Sequence, residues 1–184
     1  MAEGLVWTTI WGTLAASAMM PLTAILVWVG TVHPGWEGFA VGLFVTFSSS
    51  GFGFGLGRVL GTQRVRGFLP DRLLVVLQSS ESTTTVALAA FRFIPIAHFG
   101  STNLAMGAVG VSLRNYAVST VFGMTPIVGM YVLMGDRVQK TWREPGWENL
   151  LWLGVYALAI LIVGRFFAQA LTKRPRAGSP TPPP

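Results

Sequence analysis

From Leu5 to Val32 the chain carries no charged residue, and further apolar blocks follow along its length. A helix needs about 20 apolar residues to cross a hydrocarbon core of about 30 Å. The first block is too long for one straight span and too short for two. Pro21 divides it, and a proline inside a helix removes a backbone hydrogen bond and kinks the chain. The block therefore reads as a short span, Leu5–Met20, and a half-helix, Leu22–His33, about 18 Å long at about 1.5 Å per residue. The half-helix stops at His33-Pro34-Gly35-Trp36-Glu37-Gly38, a turn by composition. At membrane depth a turn is tolerated only where protein or trapped water satisfies its backbone. A re-entrant hairpin is the expected result.

Gly38–Leu60 is apolar again and contains Ser48-Ser49-Ser50-Gly51, which marks either a polar helix face or a break between hairpin arm and span. Between Gly61 and Glu81, Arg64, Arg66, Asp71 and Arg72 alternate with leucines and valines, as in a segment lying on a membrane surface. Thr85–Ile96 holds Arg92 in Phe91-Arg92-Phe93-Ile94-Pro95. It breaks at His98–Asn103 and resumes over Leu104–Leu113, a second half-helix, turn, half-helix pattern. Tyr116–Met134 and Leu150–Leu171 read as full spans. Lys173–Pro184 is basic and proline-rich and is expected to be a disordered tail.

Composition agrees with a bilayer as the solvent. Of 184 residues, 52% are hydrophobic and 11% are charged, against about 25% charged in a soluble domain. There is no cysteine, so disulfides and thiolate metal sites are excluded. The acidic start Met1-Ala2-Glu3-Gly4, with no small-residue cleavage site after an apolar run, does not read as a signal peptide. The net charge of +6 sits beside apolar spans, where it sets orientation rather than binding nucleic acid. Most Arg and Lys fall at Arg58–Arg72, Arg114 and Arg165–Arg176, which the positive-inside rule assigns to the cytoplasm.

The expected fold is an all-α integral membrane protein with about four transmembrane helices plus two opposed re-entrant helical hairpins, an inverted repeat of the kind transporters use. It is expected to occupy residues 1–172 as one membrane-embedded domain, with both termini and the tail 173–184 cytoplasmic.

Arg92 is the sharpest single signal. A guanidinium at the centre of a membrane helix costs about 2.5–3.5 kcal/mol on insertion scales and usually faces a cavity or a partner. It is either a site for an anionic group such as a lipid phosphate, which arginine holds bidentately, or a clamp on carbonyls freed by Pro95. Glu37 reads as the one carboxylate at membrane depth: either it neutralises Arg92, since an unpaired buried charge is expensive, or it lies in an exposed loop. His33 and His98 fall in the turns, as proton relays or plain turn residues. Asn103 satisfies open backbone groups or lines a cavity, and Ser49, with its serine neighbours, supplies polar lining. Gly51/Gly55 and Gly53/Gly57/Gly61 repeat every four residues, a device for close helix approach. No HExxH, GxSxG or acid pair is present, so an enzyme is not expected.

Together these residues give the chain a family look. Phe91-Arg92-Phe93-Ile94-Pro95, then Asn103, Gly107, Tyr116, Thr120, Gly123, Pro126, Tyr131 and Gly135-Asp136, with Gly57-Arg58-Val59-Leu60-Gly61 before them, resemble the VTT-domain superfamily. That superfamily includes the DedA membrane proteins and the SNARE-associated Golgi protein group, and the resemblance runs from about Pro21 to Asp136. It implies two opposed re-entrant hairpins and the movement or scrambling of lipids, with phospholipids or undecaprenyl phosphate as bacterial cargo. It also implies that Arg92 and Pro95 match the arginine–proline motif of the second hairpin, and that Asn103 and Gly107 match the small polar positions after it. The acidic residues of proton-coupled DedA proteins are missing from Met19–Thr23 and Ser48–Gly51, which favours energy-independent scrambling.

The leading expectation is thus a lipid transporter or scramblase. Its substrate-binding residues would be Arg92, Pro95, His98, Asn103, Glu37 and Ser49, with no cofactor. Membrane lipids bearing an anionic phosphate are the expected partners, and a homo-oligomer is left open. The alternatives are a small-solute or ion transporter of the same architecture, or a non-transporting membrane scaffold.

Overall fold

Pro21 does what its chemistry requires: it stands as the N-cap of a short helix, with φ −58°. In the computed structural model, which describes residues 2–18, 20–68, 77, 85–92 and 98–172, α1 (Ala2–Ser17) precedes this proline and α2 (Leu22–Val32) follows it. Next come α3 (Trp36–Val65) and a 3-10 turn at Arg66–Phe68. After these are α4 (Thr85–Arg92), α5 (Phe99–Ala108), α6 (Leu113–Arg143) and α7 (Trp147–Thr172). The described residues form no strand. Pro95, most of the surface segment between Gly61 and Glu81, and the tail 173–184 lie outside the described residues.

Ser48-Ser49-Ser50-Gly51 does not interrupt α3, which runs on to a kink at Gly61, whose φ of +72° favours glycine. The serines form a polar face. Pro126 likewise sits inside α6 without ending it.

α3 and α6 run antiparallel. Gly42 in the first part of α3 lies against Val128 and Val132 late in α6. Farther along α3, Phe54 stacks on Tyr116 at the start of α6 with ring centroids 4.0 Å apart. Each long helix therefore overhangs the start of the other, and the overhang is clasped by a short helix. α2 packs on α6, and α5 packs on α3. Both crossings are made by paired glycines. A Cβ at Gly30 would fall on the Val132 carbonyl and one at Gly135 on the Val27 carbonyl; one at Gly57 would fall on the Leu104 carbonyl and one at Gly107 on the Phe54 carbonyl. The outer contacts repeat the pattern, with α1 on α3 and α4 on α6. Two units of the same order, 2–65 and 85–143, thus exchange their short middle helices.

The first apolar block folds into two helices that pack side by side. Thr8 in α1 lies 3.0 Å from His33 at the end of α2, and Gly12 abuts both Ile25 and Val45. α1 and α2 therefore run antiparallel, as the two arms of a helical hairpin. The segment 33–35 lies at the helix ends, where Gly35 takes φ +73°. The sequence expectation had Leu5–Met20 as a crossing and put the buried turn at 33–38. Pro21 divides the apolar block into α1 and α2, and these pack on one another.

α3 and α6 are long and apolar enough to cross a membrane. Their outward faces carry Phe44, Phe52 and Phe122, the last 72% exposed, and α7 exposes Leu158, Leu161 and Ile162. A soluble protein does not present apolar surface on this scale. Hydrocarbon is the solvent that fits these faces.

Candidate functional site

Arg92 is the last residue of α4, and its side chain reaches α5 and α6. Nη1 donates to Asn103 Oδ1 at 3.2 Å, Nη2 donates to Thr120 Oγ1 at 2.6 Å, and Nη2 also lies 3.8 Å from the Met106 sulfur. The guanidinium carbon stands 5.2 Å from the centre of the Tyr116 ring, within the range of a cation–π contact. Gly123 makes room for it, since a Cβ there would come 3.0 Å from Arg92 Cδ.

Each acceptor is held in place by its own helix. Asn103 Nδ2 donates to the Phe99 carbonyl at 3.0 Å, which turns Oδ1 toward the arginine. The Thr120 hydroxyl donates to the Tyr116 carbonyl at 2.6 Å, leaving a lone pair for Nη2. Tyr116 and Thr120 are four apart on α6 and so share a face. The Tyr116 hydroxyl is 2.8 Å from the Ser50 carbonyl and 3.0 Å from Asn103 Oδ1, and its single proton serves one of them at a time. Asn103 is fully buried and Tyr116 nearly so.

This cluster holds a cation by neutral groups alone. Among the described residues the ion pairs are Lys140–Asp136 at 2.8 Å and His33–Glu37 at 3.9 Å, and neither involves Arg92. Buried polar atoms here also lack partners: Arg92 Nε, and the hydroxyls of Ser50 and Thr46, one turn apart on α3. Buried polar groups are nearly always satisfied, so orphaned donors mark a place for something else.

The structure brings together some of the residues the sequence singled out and separates others. Arg92 and Asn103 meet. Glu37 is half-exposed beside His33 and makes no ion pair with Arg92. His33 is buried, but against Thr8. His98 is exposed and caps the start of α5 without a side-chain hydrogen bond. Ser49 is buried, yet its hydroxyl donates back to the Val45 carbonyl at 2.6 Å; Ser50 is the serine that touches the cluster. Among the described residues Asp136, not Glu37, is the buried carboxylate, 5% exposed, with one oxygen on Lys140 and the other unpartnered. Tyr116 and Thr120 had no assigned role; their spacing and polarity on an apolar helix were the signal.

A Tyr116→Phe variant is expected to lose about 1–2 kcal/mol of stability, because the Ser50 carbonyl or Asn103 is then left short of a donor. A lowered unfolding midpoint in detergent would show this; an unchanged midpoint would show that the hydroxyl holds nothing.

In comparison with known proteins, the family model described as VTT domain matches residues 20–137, a stretch that contains Arg92, Asn103, Tyr116 and Thr120. No curated protein and no solved structure matches the chain.

Proposed function

Because the chain belongs to the VTT domain family, a membrane family of transporter-like character, we propose that it moves phospholipids between the leaflets of a bacterial cytoplasmic membrane, as a scramblase. The observation that carries this reading is the guanidinium of Arg92. It is held among neutral acceptors with Nε open and, among the described residues, no counter-charge, which favours an anion as its ligand. A lipid phosphate supplies one while its acyl chains stay in the bilayer.

In this reading α3, α6 and α7 cross the membrane. The α1–α2 hairpin dips in from one face and the α4–α5 hairpin from the other. The face with Arg58, Arg64, Arg66, Arg114 and Arg165 is cytoplasmic by the positive-inside rule. With three crossings, residues 3 and 165 lie on opposite faces in this reading.

Reconstitution tests the proposal. In vesicles carrying a fluorescent phospholipid in both leaflets, an impermeant reductant bleaches only the outer leaflet when the bilayer is otherwise inert. The protein is expected to extend bleaching to nearly all of the probe. Bleaching that stops at the level of protein-free vesicles would contradict scrambling.

A further inference from the structure

We infer that the site discriminates by phosphate charge, accepting singly charged phosphodiester headgroups and rejecting dianionic phosphate monoesters. The inference rests on the lipid-transport reading and narrows its cargo. Arg92 is the single cation of the cluster among the described residues: Asn103, Thr120, Tyr116, Ser50 and Thr46 are all uncharged. The next cation along α3, Arg58, is two turns beyond Ser50, exposed, and donates to the Val111 carbonyl at 3.0 Å. One guanidinium neutralises one negative charge. A phosphodiester brings that charge, whatever its headgroup carries outside the site. A monoester in its dianionic form brings a second, and no group in the cluster answers it; an unanswered charge away from water is strongly disfavoured.

The donors agree in kind. The orphaned Nε–H of Arg92 and the Ser50 and Thr46 hydroxyls can each meet a phosphoryl oxygen, but hydroxyls do not cancel charge. The predicted class of cargo is therefore the diester phospholipids, zwitterionic or singly anionic. Lipid phosphates that end in a monoester, including long-chain isoprenoid phosphates, fall outside it.

The experiment uses the whole chain in vesicles with fluorescent phosphatidylglycerol or fluorescent phosphatidic acid as probe. It is run near pH 8, where a phosphate monoester with a second pKa of about 6 is dianionic, and near pH 5, where it is singly charged. Phosphatidylglycerol is expected to exchange at least about ten-fold faster than phosphatidic acid near pH 8, with the gap closing near pH 5. Equal rates for the two near pH 8 would overturn the charge rule and leave lipid transport standing. A gap that persists unchanged near pH 5 would assign the discrimination to headgroup shape and overturn it as well. Exchange of neither probe above the protein-free rate would overturn the lipid-transport reading itself.

Discussion

Replacing Arg92 by alanine is expected to bring probe exchange down to that of protein-free vesicles while the protein still folds. Both halves follow from the same geometry. The arginine has no counter-charge among the described residues, so its burial is a net expense that the fold bears rather than a source of stability. Its acceptors keep other partners without it: Thr120 donates to the Tyr116 carbonyl, and Asn103 Oδ1 remains 3.0 Å from the Tyr116 hydroxyl. Phosphate handling, in contrast, loses its only charge. An Arg92→Lys variant keeps that charge but not a planar donor set that reaches Asn103 and Thr120 together, and is expected to retain at most about a tenth of the exchange rate. Matched yields and elution profiles with abolished exchange would support the assignment. Unchanged exchange in Arg92→Ala would remove Arg92 from the path.

The second large effect concerns neighbouring glycines that look alike in the sequence and should respond with opposite sign. At Gly57 and Gly107 an added methyl falls on a backbone carbonyl of the facing helix. A side chain can rotate away from such a clash, but a carbonyl within a helix cannot. Gly57→Ala and Gly107→Ala are expected to cost about 3 kcal/mol or more, the upper end of overpacking effects, and to lower the yield of folded protein sharply. Gly51 and Gly55 meet nothing within 4 Å. Alanine there is expected to be neutral or to stabilise by up to about 1 kcal/mol, the difference in helix propensity. Unfolding midpoints of the four variants decide it, and equal effects at positions 55 and 57 would contradict the packing.

That contrast shows what could and could not be read from the chain. The four-residue spacing of glycines announced close helix approach, and α3 uses one stripe, Gly53 and Gly57, against α5. Spacing alone did not say which stripe, because the choice depends on where α5 lands. Arg92 was visible because charge inside an apolar block is rare. Its partners Tyr116 and Thr120 stood in the family pattern, but nothing tied them to Arg92, because they lie on a different helix. The buried Asp136 was hidden for a related reason: it precedes Arg137 and Lys140, a context that reads as the end of a span. Pro21 correctly divided the first apolar block. That α1 packs back on α2 depends on a contact between Thr8 and His33, residues 25 apart, which spacing along the chain does not reveal.

The proposed arrangement has the α1–α2 hairpin entering from one face and the α4–α5 hairpin from the other. The chain has no cysteine, so single cysteines can be introduced without background and labelled with an impermeant maleimide from either face of oriented membranes. Glu3 and Glu37, both exposed, are predicted to react from one face, and Arg66 and Arg114, also exposed, from the other. Glu3 and Glu37 reacting from opposite faces would make α1 a crossing helix and contradict the arrangement.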